Sequence, residues 1–82
     1  MSFEVEYFIL TGPDATNRSI QLTTGVPSDS SDVALDLIGG TAQAIGLDFL
    51  VDSTKVRWDF SSSNLYSNVA ENDRMRVIYD KS

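Results

Sequence analysis

Apolar and polar residues alternate one for one at the start of the chain. In FEVEYFIL, Phe3, Val5, Tyr7 and Ile9 fall on one side, Glu4 and Glu6 on the other. A period of two marks a strand with one buried face, so the pattern predicts a first strand with the four apolar residues turned inward. TGPDATN, rich in Gly, Pro, Asp and Asn, then reads as a turn. RSIQLTT resumes the alternation with Ile20 and Leu22 inward. Two strands so close together predict a hairpin.

Gly25 and Pro27 break the sheet pattern, and Ser28, Asp29 and Ser30 are all suited to cap a helix N-terminus. From there Val33, Leu37, Thr41 and Ile45 recur every four residues, with Ala34, Ile38 and Ala42 beside them. This stripe predicts a helix near residues 31–45, with Gly46 as its left-handed C-terminal cap. The only Gly-Gly pair, Gly39-Gly40, falls inside it. A phosphate cradle needs a lysine after such glycines, or a strand before them, and neither is present. Two glycines cost a helix roughly 2 kcal/mol relative to alanine, so close packing or a helix break is the expected role.

LDFLVDSTK is an apolar linker. KVRWDF alternates again, with Val56, Trp58 and Phe60 opposed to Lys55, Arg57 and Asp59. SSSN reads as a turn, LYSNVAEND as a short strand and loop, and RMRVIYD as a last strand with Met75, Val77 and Tyr79 on one side. One helix and one sheet predict a two-layer α+β domain spanning residues 1–82. Its expected core is Val5, Tyr7, Leu37, Trp58, Phe60 and Val77.

Composition narrows the function. The chain is 82 residues long, 41% hydrophobic and 22% charged, which suits one small globular domain. Without cysteine it has no disulfide, thiolate metal site or cysteine nucleophile. A net charge of −6 with no Lys/Arg cluster argues against a nucleic-acid partner. No apolar run is long enough to span a membrane, and MSFEVEYF resembles neither a signal nor a transit peptide. The expected setting is therefore cytoplasm or virion.

Several short motifs carry a resemblance. LTG, Leu10 to Gly12, stands at the end of the first strand, PSDS, Pro27 to Ser30, precedes the predicted helix, and END leads into the last strand. In order and spacing these resemble the ubiquitin-like, or β-grasp, family. The resemblance implies one helix packed across a mixed sheet of four or five strands, with first and last strands parallel and adjacent. It also implies a recognition patch to which Leu10 and Ile78 correspond. The third patch position falls on Arg57 or Asp59, so ubiquitin's own receptors are not the expected partners.

Candidate chemistry is sparse. Asp29, Asp32 and Asp36 lack the loop a hard cation needs and are explained by favourable charge at a helix N-terminus. With no histidine, the commonest general base is missing. The expectation is a non-enzymatic module with no cofactor, metal or small-molecule substrate. It docks on a larger protein, a secretion or regulatory protein, through Phe8, Leu10, Arg57, Arg76 and Ile78. A phage or viral capsid accessory role is the alternative. A conjugated modifier or sulfur carrier is disfavoured, because the tail VIYDKS lacks the Gly-Gly end whose carboxylate such proteins activate.

Overall fold

Val33, Leu35 and Leu37 can lie on one side only in an extended backbone, and that is how the segment folds. The computed structural model describes residues 2–38 and 42–81. Its elements are β1 (Ser2–Ile9), α1 (Gly12–Asn17), β2 (Ser19–Gln21), β3 (Val33–Leu37), β4 (Ala42–Gln43), β5 (Leu50–Asp52), β6 (Lys55–Arg57) and β7 (Arg74–Lys81). They form a four-stranded sheet in the order β1-β7-β3-β4 and a three-stranded sheet in the order β2-β6-β5, every pair antiparallel.

The α+β β-grasp architecture, with a helix packed across a mixed sheet, is therefore corrected to a mostly β fold. Val33 to Ile38 satisfies both periods, and the strand wins because β7 offers it a ladder from Val33↔Tyr79 to Leu37↔Met75. The expected N-cap chemistry closes a turn instead: Asp29 Oδ1 accepts from Ser31 N (2.9 Å) and Ser31 Oγ (2.6 Å). Gly46 does take the left-handed conformation (φ 86°), but within a turn rather than after a helix. Gly39, Gly40 and Thr41 lie outside the described residues.

The helix that forms is α1, in the segment expected to be a plain turn. Thr11 caps it: its Oγ1 accepts from Asp14 N (3.2 Å) while Asp14 Oδ2 accepts from Thr11 N (3.0 Å). Pro13 stands in the first turn and Arg18, at φ 54°, ends it in the left-handed region. Instead of a hairpin, α1 carries the chain from one sheet to the other, because β1 pairs with β7 and β2 with β6. Trp58 N donates to Arg18 O (2.9 Å), continuing the second sheet past β6.

The core lies between the sheets. Val33, Leu35, Met75, Val77 and Tyr79 enter it from the first, and Ile20, Leu22, Val51, Val56 and Trp58 from the second. Leu10, Phe49 and Leu65 complete the cluster. Trp58 and Val77 were expected there, and Leu37 packs at its margin. Val5 and Tyr7 were also expected there but face solvent. The alternation of β1 is as read; its faces are exchanged.

Candidate functional site

Exchange of the β1 faces creates the most unusual surface of the molecule. Phe3 is 70% exposed, Val5 46%, Tyr7 67% and Ile9 62%, and Ile38, just past β3, is 48% exposed. The antiparallel register sets them in rows across the outer face. Val5 lies beside Ile78 and then Ala34; Tyr7 lies beside Arg76 and then Asp36; Phe3 lies beside Asp80, and Ile9 beside Arg74. Ile38 donates its backbone N–H to Arg74 O (3.0 Å), so it joins the last row. Isolated exposed apolar residues are ordinary, but a row of four on one strand is a contact-surface signature.

Charge within this face is internally balanced. Arg76 donates from Nε (3.0 Å) and from Nη2 to Asp36 Oδ2. That bond, helped by the Asp36 charge, holds the guanidinium pKa above its usual value. The strands' other outward charges are Arg74 and Asp80, one of each sign.

The residues expected to form one docking patch are scattered. Arg76 and Ile78 do lie on the outer face of β7. Phe8 points the other way and packs half-buried against the core, and Leu10 is fully inside it. Arg57 belongs to the other sheet, where its Nε donates to Asp52 Oδ2 (2.6 Å) and its Nη1 to Asp59 Oδ1 (3.0 Å). The patch rested on a parallel first and last strand. In the antiparallel pair Glu4 and Glu6 meet Tyr79 and Val77, not Arg74 and Arg76.

The sequence reading missed Phe3, Val5, Tyr7 and Ile9 as surface residues. The available signal was Phe8 and Leu10, which make the opposite row apolar too at its C-terminal end. Only the two glutamates separated the rows, and one of them is buried. Glu6 Oε1 accepts from Thr23 N and Thr23 Oγ1 (both 2.9 Å). Its Oε2 accepts from Tyr79 OH (2.6 Å), Thr24 Oγ1 (2.9 Å) and Thr24 N (3.3 Å). Burial alone would raise this carboxyl's pKa, but the hydrogen bonds from Tyr79, Thr23 and Thr24 outweigh it and bring the value to about 2. Burial and the bond to Glu6 push the Tyr79 phenol up.

Two other features have the outward form of a site. An open depression of about 240 Å³ is lined by Ser30, Ser31, Ile45, Gly46, Leu50 and Val51, with no ionisable side chain in the lining. Asp48 is buried, but Ala44 N and Asn64 Nδ2 bind its two carboxylate oxygens at 2.8 Å each, which makes it a loop fastener. Among the described residues no three His, Cys, Asp or Glu side chains gather as metal ligands would. No helix there is long and apolar enough to cross a membrane. Compared with known proteins, the chain matches no family model, no curated protein and no solved structure.

Proposed function

We propose that this chain is a non-enzymatic protein-interaction module working through the outer face of β1 and β7. The observation that carries this reading is the exposed row Phe3, Val5, Tyr7 and Ile9. A row of this kind costs solubility and adds nothing to the core, so a partner that covers it is its physical rationale. Arg76 and Ile78 remain part of the surface, whereas Phe8 and Leu10 serve packing. The neutral, apolar character of the face suits a protein rather than a polyanion.

Site-specific photo-crosslinking tests the reading. A photoreactive phenylalanine analogue at position 7 is expected to give discrete protein adducts in the native source. The same group at position 59, exposed just beyond β6 of the other sheet, is expected to give none. Equal yields at both positions, or none at position 7, overturn the proposal.

A further inference from the structure

The orientation of the β1 backbone points beyond a generic contact. Leu10 donates to Asp73 O and accepts from Asn72 N, both at 2.8 Å, so its amide faces the β7 side. Along an antiparallel strand that direction alternates, so Phe8, Glu6 and Glu4 also face β7 while Phe3, Val5, Tyr7 and Ile9 face away. The ladder on the far side of β7 agrees, since Ile38 N bonds Arg74 O there and leaves Met75, Val77 and Tyr79 for β1. β1 is at the edge of its sheet. The four residues with exposed apolar side chains therefore also carry the outward-directed N–H and C=O groups. The same strand presents a sticky face and an open ladder.

This edge differs from the others. β4 has two residues, and β2 and β5 have three each, whereas β1 has eight, free of proline and lysine. Long edges without proline or lysine are open to pairing with another strand, and the two charges of β1, Glu4 and Glu6, lie on its inner side. Deepening the interaction-module reading, on which the inference rests, we infer that the occupant is a second copy of this chain. The two β1 strands pair antiparallel about a two-fold axis and join the four-stranded sheets into one.

Charge and self-complementarity favour the second copy. The outward charges of the face are two arginines and two aspartates, Arg74, Arg76, Asp36 and Asp80. The remaining ten acidic and four basic residues hold the whole excess of −6, and of these Glu4 and Glu6 lie on β1, on its inner side. A copy thus meets a neutral apolar strip, its own complement under two-fold symmetry. The exposed row amounts to on the order of 500 Å² per copy, so two copies approach the lower limit of about 1,000 Å² for a specific interface. Edge pairing covers only part of it. The dimer is expected to be weak, at the low end of specific interfaces.

The carboxylates select the register. An axis at Val5 sets Glu4 opposite Glu6 of the second copy, and an axis at Glu6 sets the two Glu6 residues face to face. Like charges directly opposite destabilise a strand pair. An axis at Tyr7 places Glu6 opposite Phe8 and Glu4 opposite Leu10 of the second copy. It pairs Val5 with Ile9 on the outer face, and it is the longest register without a clash. An axis at Phe8 also keeps the glutamates apart but leaves Phe3 and Glu4 unpaired.

Sedimentation over a wide concentration range tests the dimer. The mass is expected to rise from 9.0 kDa toward twice that value. Tyr7→Lys and Tyr7→Pro should both stay monomeric with an unchanged circular dichroism spectrum. The proline removes only an outward N–H, which an edge strand tolerates. Ile38→Lys, two strands from the edge, should dimerise like the wild type, which separates edge pairing from stacking of whole faces. The absence of cysteine allows a direct register test. Under mild oxidation Tyr7→Cys should form an intermolecular disulfide and Phe3→Cys, roughly 27 Å from its mate in this register, should not. That arm still decides if a charged or proline variant fails to fold. A wild type that stays at 9.0 kDa into the millimolar range overturns the inference, as does a Tyr7→Lys variant that dimerises normally. A monomer whose position 7 crosslinks to a different protein removes the dimer but keeps the interaction module.

Discussion

Tyr79 donates its phenolic hydrogen to Glu6 Oε2 over 2.6 Å, linking β7 to the inner side of β1 through a buried carboxylate. The same carboxylate takes the N–H and hydroxyl of Thr23 and of Thr24, just beyond β2, so it clasps the two sheets together. No ion pair to Glu6 exists among the described residues. Neutral dipoles alone keep it charged, and this makes the fold's stability depend on pH.

Glu6 has its pKa lowered from 4.5 to about 2 by folding. A depressed carboxylate contributes stability that is complete above the unfolded pKa and is lost as pH falls toward the folded one. Urea unfolding between pH 5 and 2 should therefore show a loss on the order of 3 kcal/mol from this group. Glu6→Gln should be less stable at pH 7 by about 2 to 3 kcal/mol, because its amide hydrogens face donors. It should also have a flatter pH profile. A variant profile as steep as the wild type's would show that another group controls the acid transition.

Tyr79→Phe removes the shortest of these bonds, together with the hydroxyl's contacts to Thr24 Oγ1 (3.0 Å) and Gly25 O (3.4 Å). It keeps nearly all the buried volume and removes the shortest contact to Glu6, so a loss of about 1 to 2 kcal/mol is expected at neutral pH. The acid transition should move to higher pH, since the carboxylate loses a donor. An unmoved transition would assign the depressed pKa to Thr23 and Thr24 alone.

Trp58 is completely buried, and its indole Nε1 has no hydrogen-bond partner. An orphaned buried donor costs about 1 to 3 kcal/mol, whereas a smaller ring leaves a void with a cost of similar size. Trp58→Phe should thus fall within about 1 kcal/mol of the wild type, far milder than the 3 to 5 kcal/mol that Trp58→Ala should cost. Thermal unfolding of the two variants checks the difference.

Two glycines are expected to resist substitution for different reasons. At Gly46 an added methyl meets nothing within 4 Å, but φ is +86°, so Gly46→Ala should cost on the order of 1 kcal/mol through backbone strain. At Gly25 the methyl would come within 2.8 Å of Lys81 Cγ. Lys81 is exposed, but Cγ moves only with a change of χ1, so Gly25→Ala should cost on the order of 0.5 to 1 kcal/mol through a side-chain shift rather than backbone strain. Denaturant midpoints for both variants, compared in one buffer, test both costs.

By itself the sequence determined which segments are extended wherever the apolar row is unambiguous. Met75, Val77 and Tyr79 alternate against Arg74, Arg76 and Ile78, and the strand buries the first three. Ile20 and Leu22 likewise point inward as their alternation required. The pattern was silent where two periods or two faces compete. Val33 to Ile38 fits a helix as well as a strand, and only the free ladder of β7 decides between them. The capping box of α1 was present as Thr11 and Asp14, hidden in residues that also make turns. In β1 the choice of face hung on Glu6, which the chain alone marks as solvent-facing. Its burial needs Thr23, Thr24 and Tyr79, 17, 18 and 73 residues away, to converge on one carboxylate. A charge is excluded from a core until its hydrogen bonds are supplied there, and only the tertiary structure supplies them. That convergence turned Phe3, Val5, Tyr7 and Ile9 outward and made an interaction face from what reads as a core strand.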